Sequence, residues 1–309
     1  MKIIPFLQLI RWKNLVILAT TLCVIKFGFI NIFTDSFNLD HFRFLVLLFS
    51  ILFITAAGYI INDIYDVETD LFNKPNKVFI GTILTTNQAY NWYFIFNIIG
   101  VLLGFYLANY LQKPVFSSVF IIISFLLYFY SSTLKKMLLI GNLLVATLIS
   151  LSFLLLGYFD LILKVSLNHL SFHYLLFELI FEFAVFAFFI NLIREIVKDI
   201  EDIIGDNNLK MKTLPIVIGI KYSKLIVGLL TLLLLILLMY FIINYLQPSS
   251  VTYYYFLIAV IFPLLYFCFK LFHSKTKENF NYLSKILKFC MITGVFSILI
   301  ISLSIKYVI

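Results

Sequence analysis

Residues 174–206 read YLLFELIFEFAVFAFFINLIREIVKDIEDIIGD. The first two thirds of this stretch is predominantly apolar, and it is about as long as a helix must be to cross a ~30 Å hydrocarbon layer. It shows no period-two alternation, which argues against a barrel strand. It then passes abruptly into Glu195, Lys198, Asp199, Glu201, Asp202 and Asp206. One apolar span ending on a dense acidic segment is therefore the unit to look for elsewhere.

The chain as a whole supports a lipid-embedded reading. Of its 309 residues, 63% are hydrophobic and 12% charged, with a mean hydropathy of +1.07. Soluble domains are about 45–50% apolar and about 25% charged, so this chain has too few charges to build a water-facing surface. In hydrocarbon, every backbone polar group needs an internal partner, which leaves helices or a closed barrel. A scan in windows of about 19 residues finds about nine spans, near 14–33, 43–64, 91–111, 115–132, 138–158, 174–194, 225–246, 252–272 and 288–308. The expectation is an all-α integral membrane protein of about nine transmembrane helices forming a single domain, 1–309. The first apolar stretch, Leu15 to Phe33, has spanning length and no small-residue cleavage site after it, so it reads as a span and not as a removable leader.

Lysine and arginine divide unevenly between the segments joining these spans. With the N-terminus inside, only Arg43, Lys113, Lys164 and Lys306 fall outside, and Lys26 lies within the first span. Positive loops stay in the cytoplasm, which gives a cytoplasmic N-terminus and an external C-terminus in the cell's inner (cytoplasmic) membrane. The net charge of +8 then needs no nucleic acid to explain it. Lys26 is expected to snorkel to the interface, with a substrate contact as the alternative. Cys23, Cys268 and Cys290 lie inside apolar runs and read as small buried hydrophobes. His41, His169, His173 and His273 carry no assigned role.

Nine of the 15 acidic residues fall in two short segments, Asn62–Asp70 and Arg194–Asp206. Both carry D-x-x-D-x-x-x-D: Asp63, Asp66 and Asp70, then Asp199, Asp202 and Asp206. On a helix, steps of three and seven bring such carboxylates within roughly 60° of one another, so each set is expected to form one anionic face. Like charges so placed repel and weaken their helix unless a cation compensates, and hard oxygens of this kind suit Mg²⁺. One such cluster could be a polar helix cap. Two with identical spacing, four spans apart on helices of the same direction, point to paired metal faces and hint at an internal repeat of spans 2–5 in spans 6–9. A secondary transporter would place its acids nearer the bilayer midplane, and a scaffold would need no metal faces.

With these two motifs at the ends of the second and sixth spans, the sequence resembles the UbiA superfamily of intramembrane prenyltransferases over nearly its whole length. Arg194–Asp206 with Thr213-Leu214-Pro215-Ile216, Asn73-Lys74-Pro75, Tyr130-Ser131 with Leu134-Lys135, Gly141-Asn142, and Arg11 with Asn14 are similar to its digeranylgeranylglyceryl phosphate synthase branch. The resemblance implies Mg²⁺-dependent transfer of a prenyl group from a prenyl diphosphate. Asn62, Asp66 and Asp70 are expected to hold one ion, Asp202 and Asp206 the other, with Asp63 and Asp199 ligating or orienting. Asp66, Asp202, Lys135 and Lys198 are the expected catalytic set. Lys135, Lys198 and Arg194 are expected to meet the diphosphate, and Asn62, Tyr65, Tyr130, Arg11 and Asn14 to contact substrate. Leu71, Lys77-Val78, the early Gly81 and Val67 depart from the pattern. The acceptor stays open between a lipid-like hydroxyl, as in geranylgeranylglyceryl phosphate, and an aromatic acid of quinone biosynthesis (4-hydroxybenzoate or 1,4-dihydroxy-2-naphthoate). The active site is expected to face the cytoplasm, and no obligatory protein partner is expected. The segments 71–90 and 207–224 read as an amphipathic lid or as surface helices.

Overall fold

A computed structural model of the chain describes residues 3–73, 78–164, 170–245 and 250–307. Lys74, Pro75, Lys77 and His169 lie outside the described residues. Nine helices among the described residues are long and apolar enough to cross a membrane: α1 Trp12–Phe33, α2 His41–Tyr65, α3 Thr86–Tyr110, α4 Pro114–Ser132, α5 Ile140–Ile162, α6 Leu170–Glu201, α7 Leu214–Asn244, α8 Val251–His273 and α9 Lys277–Tyr307. They match the nine spans read from hydropathy, and the protein is a multi-pass membrane protein. Helix α2 packs on α3 and α4, α5 on α6, and α6 also meets α7 and α9, which closes the bundle against α1.

Local chemistry starts several of these helices. The Asp40 carboxylate accepts the Arg43 backbone N–H at 2.9 Å to cap α2. Thr85 and Gln88 form a reciprocal capping box at the head of α3, at 3.2 and 3.1 Å. Pro114 sits in the first turn of α4, where a missing N–H costs nothing.

Helices α6, α7 and α9, of 32, 31 and 31 residues, run furthest beyond the hydropathy windows. Helix α6 has 32 residues, about 48 Å at 1.5 Å per residue, against a hydrocarbon layer of about 30 Å. Its polar last turns therefore project beyond the apolar slab. Helix α7 begins at Leu214, but the chain breaks from helical geometry at Gly219, where φ is 83°, so residues 214–218 form a short helical segment ahead of the span and residues 220–224 continue into it. Hydropathy misses this start because Lys221 and Lys224 dilute it.

Lys26 does not follow its expected behaviour. It opens a π-helical turn, Lys26–Ile30, and faces a second π-helical turn, Tyr158–Ile162. Its ammonium donates to Asp160 Oδ2 at 2.7 Å and to the Leu39 carbonyl at 2.8 Å, and lies 3.8 Å from the centroid of the Phe37 ring. Asp160 Oδ1 accepts the Leu39 N–H at 2.9 Å. Both side chains are fully buried. The lysine does not snorkel, because a carboxylate brought within reach by the second π-turn satisfies it inside the bundle. Nearby, His173 Nδ1 lies 2.8 Å from the Leu161 carbonyl, a further tie between α5 and α6 at the end remote from the aspartate motifs.

Candidate active site

Neither aspartate motif lies on one continuous helical face. The backbone leaves helical values at the middle aspartate of each, with φ/ψ of −95°/0° at Asp66 and −98°/9° at Asp202. Short helices follow, Val67–Asn73 and Ile203–Asn208. The expected single anionic face is thus bent at the same place twice. The bend lets the two short helices touch. The Asn73 side chain donates to the Asp202 carbonyl at 3.1 Å and accepts the Gly205 N–H at 3.0 Å. A Cβ at Gly205 would fall 2.3 Å from Asn73 Nδ2, so glycine is what permits this approach. One buried asparagine therefore fixes the separation of the two motifs.

Two carboxylates of the first motif, Asp63 and Asp66, are held by cations and an amide. Lys135, on the turn after α4, forms an ion pair with Asp66. Asn62 donates to the other Asp66 oxygen at 2.7 Å. Gly141 lets that turn lie close to α5, since a Cβ there would stand 2.8 Å from Lys135 Cα. Arg11 adopts a left-handed φ of 50° at the head of α1 and places its guanidinium 2.8 Å from Asp63 and 4.9 Å from the centroid of the Tyr59 ring. Burial works against that charge, but Asp63 outweighs it and the Arg11 pKa lies above the ordinary guanidinium value. Arg11 is a fixed cation.

On α6, Lys198 donates to Glu195 at 2.5 Å, and Arg194 reaches the same oxygen at 3.3 Å. Asp199 accepts from Asn142 at 2.8 Å. From α9, Asn281 donates to Glu201 at 2.9 Å, and Lys277 donates to the Asn73 carbonyl at 2.7 Å.

A cavity of about 280 Å³ opens beside these groups. Its charged end is lined by Arg11, Asn14, Asn62, Tyr130, Arg194 and Lys198, all expected from sequence, and also by Tyr59, Glu195 and Lys288. Its interior is apolar, with Ile54, Phe120, Leu155, Phe183, Leu234 and Phe256 among its walls. Asp63, Asp66 and Asp199 stand one hydrogen bond behind lining or neighbouring groups. Asp202 and Asp206 are tied in through Asn73 and Gly205, and Asp70 lies on the short helix that carries Asn73. Tyr65 is not among the lining residues. It is 36% exposed, and its hydroxyl lies 3.1 Å from that of Tyr128. Sequence reasoning treated Lys288 only as a loop charge and did not single out Tyr59, because a lysine at a span's edge and a tyrosine within one carry no motif.

The donor set fits Mg²⁺. Asn62, Asp66, Asp70, Asp202 and Asp206 carry hard oxygens of the kind Mg²⁺ takes, and Asn62, which lines the charged end of the cavity, is hydrogen-bonded to Asp66. Among the described residues, no three His, Cys, Asp or Glu converge as an all-protein metal cage. Mg²⁺ typically takes one or two carboxylates and completes its shell with water and substrate phosphate, so an open donor set is the kind it uses.

The model of the UbiA prenyltransferase family matches residues 14–289. The chain belongs to that family. Curated relatives of this prenyltransferase include the digeranylgeranylglyceryl phosphate synthase of Methanobrevibacter smithii, 30% identical over 225 residues, 72% of each chain. The enzyme of the same name from Saccharolobus solfataricus is 38% identical over 170 residues, 55% of each chain. A solved structure described as that of digeranylgeranylglyceryl phosphate synthase in membranes is 26% identical. It superposes with a TM-score of 0.62 over 97% of this chain and 98% of the other. A UbiA homologue from Archaeoglobus fulgidus bound to GPP and Mg²⁺ shares the fold at a TM-score of 0.58 and 17% identity, over 95% of this chain and 99% of that one. The chain is therefore a membrane-embedded enzyme that transfers prenyl groups.

Proposed function

We propose that this prenyltransferase joins the geranylgeranyl group of geranylgeranyl diphosphate to the free hydroxyl of geranylgeranylglyceryl phosphate, with Mg²⁺, at the cytoplasmic face of the cell membrane, in one domain spanning 1–309. The observation that carries the reading is the junction of the two D-x-x-D-x-x-x-D segments through Asn73, beside the charged mouth of an apolar cavity. The lipid acceptor is favoured by relatives of that name aligned over most of both chains.

In the reaction, the allylic C–O bond breaks, diphosphate departs, and the acceptor oxygen bonds to the allylic carbon and loses its proton. Asn62, Asp66 and Asp70, with Asp202 and Asp206, would hold Mg²⁺, which would supply the Lewis acidity that offsets the growing charge on the diphosphate. Lys135 and Lys198 add point charges that suit phosphate oxygens. Asp63 and Asp199 are held by Arg11 and Asn142, as residues that orient the inner carboxylates would be. Asn73 and Gly205 set the distance between the two halves of the site. The apolar cavity holds the prenyl chain and keeps water from the allylic cation, and the Tyr130 ring at its charged end can face that cation.

The test is product identification. Membranes containing the protein are given Mg²⁺, geranylgeranyl diphosphate, and a mixture of geranylgeranylglyceryl phosphate and aromatic acids. Asp66→Asn and EDTA samples run in parallel. The expected product is digeranylgeranylglyceryl phosphate, absent from both controls. A prenylated aromatic acid in its place would overturn the lipid acceptor while leaving the prenyl transfer intact.

A further inference from the structure

The charged end of the cavity carries more positive charge than the diphosphate chemistry uses. Arg11, Arg194, Lys198 and Lys288 all line it, and among the described residues Glu195 is the one carboxylate that lines it with them. Arg11 is balanced by Asp63 and Lys198 by Glu195. Arg194 shares Glu195 only through Nη1 at 3.3 Å, and its Nε is buried with no hydrogen-bond partner. The ammonium of Lys288 donates to the neutral Asn14 side chain at 2.9 Å. Lys288 is half-buried in a spanning helix, where a cation held only by a neutral amide is costly. Arg194 and Lys288 therefore amount to about two positive charges without carboxylates of their own. They come from α6 and α9 and face one cavity, close enough to act on each other electrostatically.

An unpartnered guanidinium N–H and an ammonium beside an amide suit a phosphate monoester, which carries about two negative charges at neutral pH and accepts several hydrogen bonds. The departing diphosphate has its own cation in Lys135, on the turn after α4 and paired with Asp66. Lys135 does not line the cavity. The geometry points to a second anionic subsite, formed by Arg194, Lys288 and Asn14, that binds the phosphate of the acceptor and so selects a phosphorylated alcohol over a singly charged aromatic acid. This rests on the proposed acceptor class and deepens it by assigning Lys288 as a specificity-determining residue.

The test compares the purified full-length enzyme with its Lys288→Met and Lys288→Arg variants in nanodiscs with Mg²⁺. KM is measured separately for geranylgeranyl diphosphate and for geranylgeranylglyceryl phosphate. Loss of one charge-assisted contact to phosphate should raise the acceptor KM of Lys288→Met roughly 10- to 100-fold. The donor KM should stay within about twofold, which also shows that the variant is folded. Lys288→Arg should recover most of the loss. sn-Glycerol 1-phosphate should compete with the acceptor in the wild type and lose that competition in Lys288→Met. An unchanged acceptor KM in Lys288→Met, or equal rises for donor and acceptor, overturns the subsite and leaves the proposed function standing. A wild type that ignores the glyceryl phosphate and prenylates an aromatic acid overturns both.

Discussion

Replacing Lys26 by Met, Asp160 by Leu, and both together gives a double-mutant cycle on an ion pair sealed inside the bundle. The two charges lie 2.7 Å apart, with neither side chain reachable by solvent. Removing one member strands the other, at about 3–5 kcal/mol, so the two single losses sum to roughly 8 kcal/mol. The double variant strands no charge. It does leave the Leu39 carbonyl without the Lys26 ammonium and the Leu39 N–H without Asp160 Oδ1, at about 1–3 kcal/mol each, or roughly 4 kcal/mol in all. The expected coupling is therefore about 4 kcal/mol. Reversible unfolding in mixed detergent–SDS micelles, followed by circular dichroism, measures all four proteins. Neither residue lines the cavity, so both substrate KM values should be unchanged at a temperature where every variant is folded. Additivity within about 0.5 kcal/mol, or single losses below about 1 kcal/mol, would refute the account of the pair as a mutually satisfied internal clamp.

Four further outcomes are expected at the other end of the bundle. Gly205→Ala should push Asn73 away and misplace one motif against the other, lowering kcat on the order of 100-fold with the protein still folded by size-exclusion chromatography. Asn73→Ala should do the same without the steric clash, and failure of both variants to slow turnover would count against the junction. Lys135→Met should lower kcat/KM for the donor by roughly 10- to 100-fold and leave acceptor KM nearly unchanged in steady-state assays. Stripping divalent ions with EDTA should abolish product, and Mg²⁺ should restore it; full activity in EDTA would remove the metal from the proposed mechanism.

Hydropathy made the nine spans legible because each is a long apolar run, and lipid leaves such a run little choice but to be helical. It could not place the true helix ends. The last turns of α6 and the first turns of α7 carry Lys198, Asp199, Lys221 and Lys224, which dilute any hydropathy window although the backbone is helical at each of them. The aspartate spacing drew attention to the two segments that meet through Asn73, but the extrapolation of one ideal helix through each motif failed at Asp66 and Asp202. The bend depends on the pairing of two distant segments through Asn73 and Gly205, 132 residues apart, and nothing local to either motif encodes that pairing. Lys26 and Asp160 were illegible for the same reason. Each is an isolated charge in an apolar run, and only the fold shows that they face one another.

The pairing of charges at the mouth has a consequence for how substrate enters. Asp66 is held by Lys135, Asp63 by Arg11, and Glu195 by Lys198, so these three carboxylates are already paired with cations. A buried charge that loses its partner costs several kcal/mol, so Asp66 can turn to a metal only if Lys135 gains another anion at the same moment. A diphosphate provides that anion. Under the proposed reading, Asp66 would help hold Mg²⁺ and Lys135 would turn to the phosphate, an exchange that would leave neither residue's charge without a partner. Neither Mg²⁺ nor diphosphate alone completes that exchange, so each should bind weakly without the other and tightly with it.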